Sequence, residues 1–323
     1  MKNANYRVRV STRETFGLNP LGRGLKQCWL AIKGDKTLPP TKWNTGSLKL
    51  LRLNVSLPTW MGQVRDDDKV WVANLFNHKW EGPSSGHSVA VSNVEDHRGR
   101  DLSYDGHTGT DFAIPTGTRT CAPGAGHVCW VQKQLHRGGL KIAVDHGGGI
   151  FTSCNHMARS FVDVGDEVKR GDVIGLSGMS GVDGILFFPW LAPHVHFNAW
   201  AFGQLCDPYA FDDHASLWRD NSEPKPFVPG RDDDVDVPAR TTFDDDAVER
   251  AIAACTSPDL ASRLSSIADR YTRGVEVMMA MTYEGARFSE HPMIVHQPAE
   301  RHGVLDLPFH HEDFSGCVLV DEV

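Results

Sequence analysis

Long apolar runs are missing from this chain: no window of its 323 residues is apolar enough, over the about 20 positions required, to span a bilayer. The N-terminal stretch MKNANYRVRVSTRETFGLNP also lacks the apolar core of about seven to fifteen residues that a signal peptide needs, so none is expected. Positive charge is in short supply, with 33 Lys and Arg against 41 Asp and Glu and a formal net charge of -8. A polyanion would be repelled, which disfavours nucleic acid and anionic membrane surfaces as main partners. Cysteine is scattered: seven residues, an odd number, with no CxxC pair, form neither a disulfide framework nor a thiolate zinc site. Cys121 and Cys129 flank the turn PGAG symmetrically, so they either face each other across a hairpin or are two small apolar core residues. Compartment and oligomeric state are not legible in the sequence.

What is present is ordinary globular material, 40% hydrophobic and 23% charged, in a chain longer than one usual domain. Residues 1–98 carry short apolar or alternating runs (YRVRV, QCWLAI, LKLLRLNVSL, KVWVANLF, HSVAVSNV) between Gly, Pro, Asn and Asp clusters. They read as strands and turns of a β-rich N-terminal region, although LKLLRLNVSL fits either period. Residues 99–210 are strongly β, with KIAVDH, GIFTSC, DVIGLSG and HVHFNAW separated by glycine turns. The repeated Gly-Asp at Gly165-Asp166 and Gly171-Asp172 marks tight reversals in a small antiparallel β-sandwich or barrel. Biotinyl and lipoyl carrier domains use similar turns, but they present a lysine beside methionine, and this block has no such pair. Residues 211–245, with EPKPFVPG and RDDDVDVP, read as an acidic, proline-bearing linker. In the small α+β region 246–323, AVERAIAAC and SPDLASRLSSIADRYTRG predict helices, the second capped by Ser257 and stopped by Gly274. VEVMMAMTY is ambiguous between strand and helix, and the histidines 302, 310 and 311 read as a polar loop. The linker is expected to be the first site of nicking, leaving the C-terminal region separable.

The chemistry-bearing residues run from His107 to His196. HTGTD holds His107 and Asp111 in a stretch punctuated by glycine and β-branched threonine, which favours a strand end and its loop over a helix. HVH alternates with period two, so His194 and His196 share one strand face. Histidine and carboxylate ligands suit zinc, and three of them with an open position make a catalytic site. Among 16 histidines either motif alone arises by chance.

The text between the motifs makes them specific. HTGTDFAIPTGTRTCAPGAGHV, KIAVDHGGGIFTSCNHM, VDVGDEVKRGDVIGLSGMSG and HVHF resemble, in order and spacing, the blocks of the LytM-type, lysostaphin-like M23 zinc peptidases, over about residues 100–210. The resemblance implies His107, Asp111 and His196 as ligands of one Zn2+, and His156 and His194 as the two catalytic histidines that hold and move protons. It further implies an endopeptidase acting on peptidoglycan cross-links or stem peptides, and a cell-envelope or extracellular site. A module of the same shape that only binds peptidoglycan, or activates another hydrolase, is the alternative.

The chain departs from the family pattern at Cys154, where an aromatic residue usually stands, and at Asn198, where an acidic one often does. Both are expected near substrate and clear of the ligands. The insertion VDGILFFPWLAP before His194 is longer than usual, and its Phe188 and Trp190 are expected to form a groove wall. His146 is expected to bond the backbone of its turn.

Overall fold

β-Branched and alternating runs on either side of the glycine turns become the strands of one large sheet. The computed structural model describes residues 1–18, 20–230, 236–295 and 301–322. Within these the strands are β1 (Lys2–Asn3), β2 (Gln63–Val64), β3 (Lys69–Asn74), β4 (Thr110–Ala113), β5 (Arg119–Cys121), β6 (Gly126–Gln134), β7 (Gly139–Asp145) and β8 (Ile150–Met157). They continue as β9 (Arg159–Ser160), β10 (Glu167–Val168), β11 (Val173–Leu176), β12 (His194–Ala201), β13 (Gln204–Cys206) and β14 (Gly316–Leu319). The helices are α1 (Thr12–Thr15), α2 (Leu21–Lys33), α3 (Leu53–Trp60), α4 (Val182–Leu186), α5 (Asp245–Ala253), α6 (Pro258–Ser265) and α7 (Arg270–Tyr283). None of them is long and apolar enough to cross a membrane.

The nine-stranded sheet runs β10-β6-β7-β8-β12-β4-β3-β14, with β13 also paired to β12. Its pairings are antiparallel except that of β14 with β3, which is parallel. A three-stranded sheet, β5-β11-β9, packs beside it, and the fold is mainly β with glycine turns. β3, from before residue 98, and β14, from after residue 245, are thus strands of the same sheet as the His107–His196 segment.

Alternation along the strands separates two apolar clusters. One gathers Val72, Phe112, Ile142, Cys154, Val195 and Phe197 with Leu217 and Trp218. The other sets Trp130, Ala143, Phe151 and Trp200 of the sheet against Val248, Leu264, Val275, Met278 and Met279 of the C-terminal helices. Leu217 and Trp218, in the stretch expected to be a solvated linker, are therefore core, because the chain folds back over the first cluster. The acidic block at 231–235 lies outside the described residues.

Several local expectations resolve differently. QCWLAI lies in α2, whose small Gly24 and Ala31 face inward while Leu25 and Trp29 are 60% and 61% exposed, so its apolar residues did not mark a buried strand. LKLLRLNVSL ends in α3, and VEVMMAMTY is the body of α7. The long helix expected over 257–274 breaks in two, since the Asp269 side chain accepts from Thr272 N and starts α7 afresh. Gly274 does not stop a helix. It sits inside α7, where a Cβ would collide with the Phe243 ring.

Cys121 and Cys129 are free, buried and in different sheets, so no hairpin brings them together. In the 302–313 loop His310 and His311 stack with ring centroids 4.6 Å apart. Asp313 there is not solvated: it is buried and accepts two bonds, of 2.9 and 2.5 Å, from the Arg119 guanidinium.

Candidate metal centre

The register of four strands and one turn brings the histidines together. Asp111 on β4 lies opposite both His196 of β12 and Asn74 of β3, and His196 lies opposite Asn155 of β8. His107 precedes β4 in a turn closed by its own N–H donating to the Tyr104 carbonyl. Gly109 lets that turn close on β12, because a Cβ there would collide with the Phe197 carbonyl oxygen and press on His196 Nε2.

Three donor atoms converge as a result. His107 Nε2 stands 3.0 Å from Asp111 Oδ1, His196 Nδ1 stands 2.8 Å from the same oxygen, and the two nitrogens are 3.2 Å apart. Ligands at 2.0–2.2 Å around a tetrahedral zinc are about 3.3 Å from one another, so the two imidazoles and one carboxylate fit such an ion with little movement. The atoms on the far side of the ligands are also held. His107 Nδ1 donates to the Leu75 carbonyl at 2.6 Å, which fixes the tautomer that leaves Nε2 free, and Asp111 Oδ2 accepts from Asn74 Nδ2 at 2.8 Å. Burial works to raise the Asp111 carboxyl, but the surrounding imidazoles of His107, His194 and His196 outweigh it and hold the group well below the ordinary carboxylate value.

Two further imidazoles face the triad. His156 Nδ1 donates to the Ser180 carbonyl at 2.7 Å, and His194 Nδ1 donates to the Ala192 carbonyl at 2.9 Å. Both rings are therefore in the tautomer that leaves Nε2 unprotonated. Their centroids are 4.7 Å apart, and His194 Nε2 is 3.6 Å from Asp111 Oδ1. His156 has a left-handed backbone, φ 61°, an uncommon conformation for a residue with a side chain. Burial, followed by the neighbouring His194 and His196, pushes its imidazole well below the ordinary histidine value.

The other expected site residues divide. Asn198 is not clear of the ligands: its Nδ2 is 3.0 Å from His196 Nε2 and donates to the Thr108 carbonyl at 2.7 Å. Its Oδ1 accepts from Asn155 Nδ2 at 2.9 Å and from the Tyr283 hydroxyl at 3.1 Å. Cys154 points the opposite way along β8, into the first apolar cluster, and burial raises its thiol well above the ordinary value. Phe188 packs edge-on against Phe16 and Trp60, and neither it nor Trp190 lines the cleft over the triad. The His146 side chain does not bond its own turn: Nδ1 donates to the Ala125 carbonyl of the β5–β6 turn at 2.9 Å, and Nε2 lies 2.8 Å from the Thr152 hydroxyl.

That cleft, of about 90 Å³, is walled by Trp80, Tyr104, Arg137, Asn155, Asp183 and Tyr283 along with His156 and His196. Of these, Asp183 lies in the insertion expected to supply a groove wall, and no residue type or spacing in the sequence marked Trp80, Tyr104, Arg137, Asn155 or Tyr283. Tyr283 arrives from the last residue of α7, 87 positions beyond His196, so no local motif points to it. Beneath it Trp130 stacks at 5.6 Å, and the fully buried Lys141 Nζ lies 4.5 Å from the Tyr283 ring and donates to the Arg137 carbonyl at 2.5 Å. Burial pulls this lysine down to about 7. Between that value and the unfolded one near 10.5, the unfolded chain binds the proton that the folded chain has released, so stability rises with pH. Denaturant titrations from pH 7 to 10 are expected to show a slope approaching about 1.4 kcal/mol per pH unit from this group. Lys141→Met is expected to flatten it, and an unchanged slope would show that the lysine stays charged when folded.

Comparison with known proteins bears on the same segment. Residues 105–208 match the family described as Peptidase family M23. The peptidoglycan DD-endopeptidase ShyA of Vibrio cholerae serotype O1 is 36% identical over 93 residues, 28% of this chain and 20% of its own. Lysostaphin of Staphylococcus simulans is 31% identical over 110 residues, 32% of this chain and 21% of its own. The solved catalytic domain of that lysostaphin shares 29% identity over 32% of this chain and 77% of its own, with a TM-score of 0.28. The matched segment thus spans about a fifth of these two full-length relatives. Residues 105–208, with their His-x-Gly-x-Asp and His-x-His blocks, are a domain of the LytM-type, lysostaphin-like M23 metallopeptidase family.

Proposed function

We propose that this chain is a zinc-dependent endopeptidase that hydrolyses peptide bonds in the cross-links or stem peptides of peptidoglycan. The observation that carries the reading is the convergence of His107 Nε2, Asp111 Oδ1 and His196 Nδ1 within 3.2 Å, beside two imidazoles whose Nε2 atoms are free. Relatives named as peptidoglycan endopeptidases support the substrate class.

Zinc held there would polarise the scissile carbonyl and lower the pKa of water to about 7. The protein's own groups do the rest. One of His156 and His194 accepts at Nε2 the proton of the attacking water and delivers it to the leaving amine. The other, when protonated, donates a hydrogen bond to the oxyanion of the tetrahedral intermediate. The carbonyls of Ser180 and Ala192 orient both rings for these tasks without taking part in them.

The test is zinc content after dialysis, measured alongside the release of new amines from purified peptidoglycan. About one zinc per chain with turnover is expected. Zinc and peptidoglycan binding without turnover would replace the peptidase with a binding module of the same shape.

A further inference from the structure

The cleft is lined by two charged side chains that the chemistry above does not use, Arg137 and Asp183. Arg137 stands in the turn between β6 and β7, and its backbone is fixed at both ends. Its N–H donates to the Gln134 carbonyl at 3.0 Å, and its own carbonyl accepts from Lys141. The guanidinium is different. Its five N–H donors form a rigid fork matched to a carboxylate, and among the described residues none of them has a hydrogen-bond or ion-pair partner.

Two acids lie near enough to be felt. Glu284 is engaged elsewhere, at 2.8 Å from Arg287 and 3.1 Å from Gln134. Asp183, in the first turn of α4, faces the same cleft without closing an ion pair to Arg137. Burial pulls the Arg137 group down to about 10, with Asp183 and Glu284 pulling back. A cation half removed from water with no partner is costly, and an arriving carboxylate would offset that cost.

We propose that Arg137 is a specificity-determining residue of this cleft, receiving a free carboxylate on the residue adjoining the scissile bond. The substrate class is then a peptide that carries a negative charge beside the cut, in preference to an uncharged or amidated one. The proposal rests on the peptidase reading of the same cleft, deepening it to a substrate class.

The experiment compares two synthetic stem-type peptides that differ only in a free carboxylate or a carboxamide beside the scissile bond. The zinc-loaded wild-type chain is expected to favour the carboxylate by about tenfold or more in kcat/KM, the usual worth of a charge-assisted bidentate contact. Arg137→Gln should lower turnover of that peptide alone and bring the ratio close to one. Arg137→Lys, which keeps the charge but not the fork, should retain part of the preference. Equilibrium binding of both peptides, measured by calorimetry in a His194→Ala background, reads the same preference without turnover. Zinc content and melting temperature establish that each variant is folded.

Absence of discrimination in the wild type, a preference that survives in Arg137→Gln, or an equal loss on both peptides would overturn the proposal. If neither peptide is cut while binding still favours the carboxylate through Arg137, the carboxylate site stands and the peptidase reading falls.

Discussion

Alanine at His107, Asp111 or His196 is expected to remove metal and activity together, because each substitution deletes one of three donor atoms that lie within 3.2 Å of one another. Zinc retained after dialysis should fall from about one per chain to near zero. Alanine at His156 or His194 should leave the ion in place, since neither contributes a donor atom to the His107, Asp111 and His196 triad. Turnover should still drop by roughly 10² to 10⁴, the usual worth of a positioned acid or base. Metal analysis and peptidoglycan turnover on the five variants separate the two classes. Loss of zinc from His194→Ala with retention in His196→Ala would invert the ligand assignment on β12.

The second large effect concerns the C-terminal part. A chain ending at residue 244 would remove α5, α6 and α7 from the sheet face that carries Trp130, Phe151 and Trp200, whose exposures are now 4%, 0% and 0%. Uncovering side chains of this size costs about 1.5–3 kcal/mol each, against a total stability of about 5–15 kcal/mol for a typical domain. The truncation also deletes Tyr283 from the cleft and strips Lys141 of its aromatic cover. Such a chain is expected to be insoluble or unable to hold zinc, as read by sedimentation and metal content. A soluble, zinc-binding product would show instead that the helices are a detachable cap.

How far the sequence could be read follows from the range of each signal. His107, Asp111, His156, His194 and His196 sit in short motifs that are unspecific alone, and their grouping was legible only through the resemblance of the text between them to the M23 blocks. The β character of residues 99–210 was legible from the strand period and the glycine turns. What escaped was everything the site draws from a distance: Tyr283 from α7, Arg137 from the β6–β7 turn, and Asn74 from β3, which steadies Asp111. Asn198 was recognised as unusual and shares the face of His196 by the strand period, but its bond to Asn155 across the ladder is encoded by no linear pattern. The expected roles of Phe188 and Trp190 came from proximity in sequence to His194. Phe188 instead meets Phe16 and Trp60, and the insertion reaches the cleft through Asp183.

The parallel pairing of β14 with β3 bears on how the molecule is made. Cys317 meets Val70 and Val318 meets Trp71, contacts between residues 247 positions apart. During synthesis β3 leaves the ribosome well before β14, and on the side later taken by β14 it offers a row of open N–H and C=O groups until that strand appears. That side of β3 is consequently the place where a nascent or prematurely released chain is most exposed to pairing with a neighbour. The pairing of β3 waits on translation of β14, and topology of this kind folds slowly.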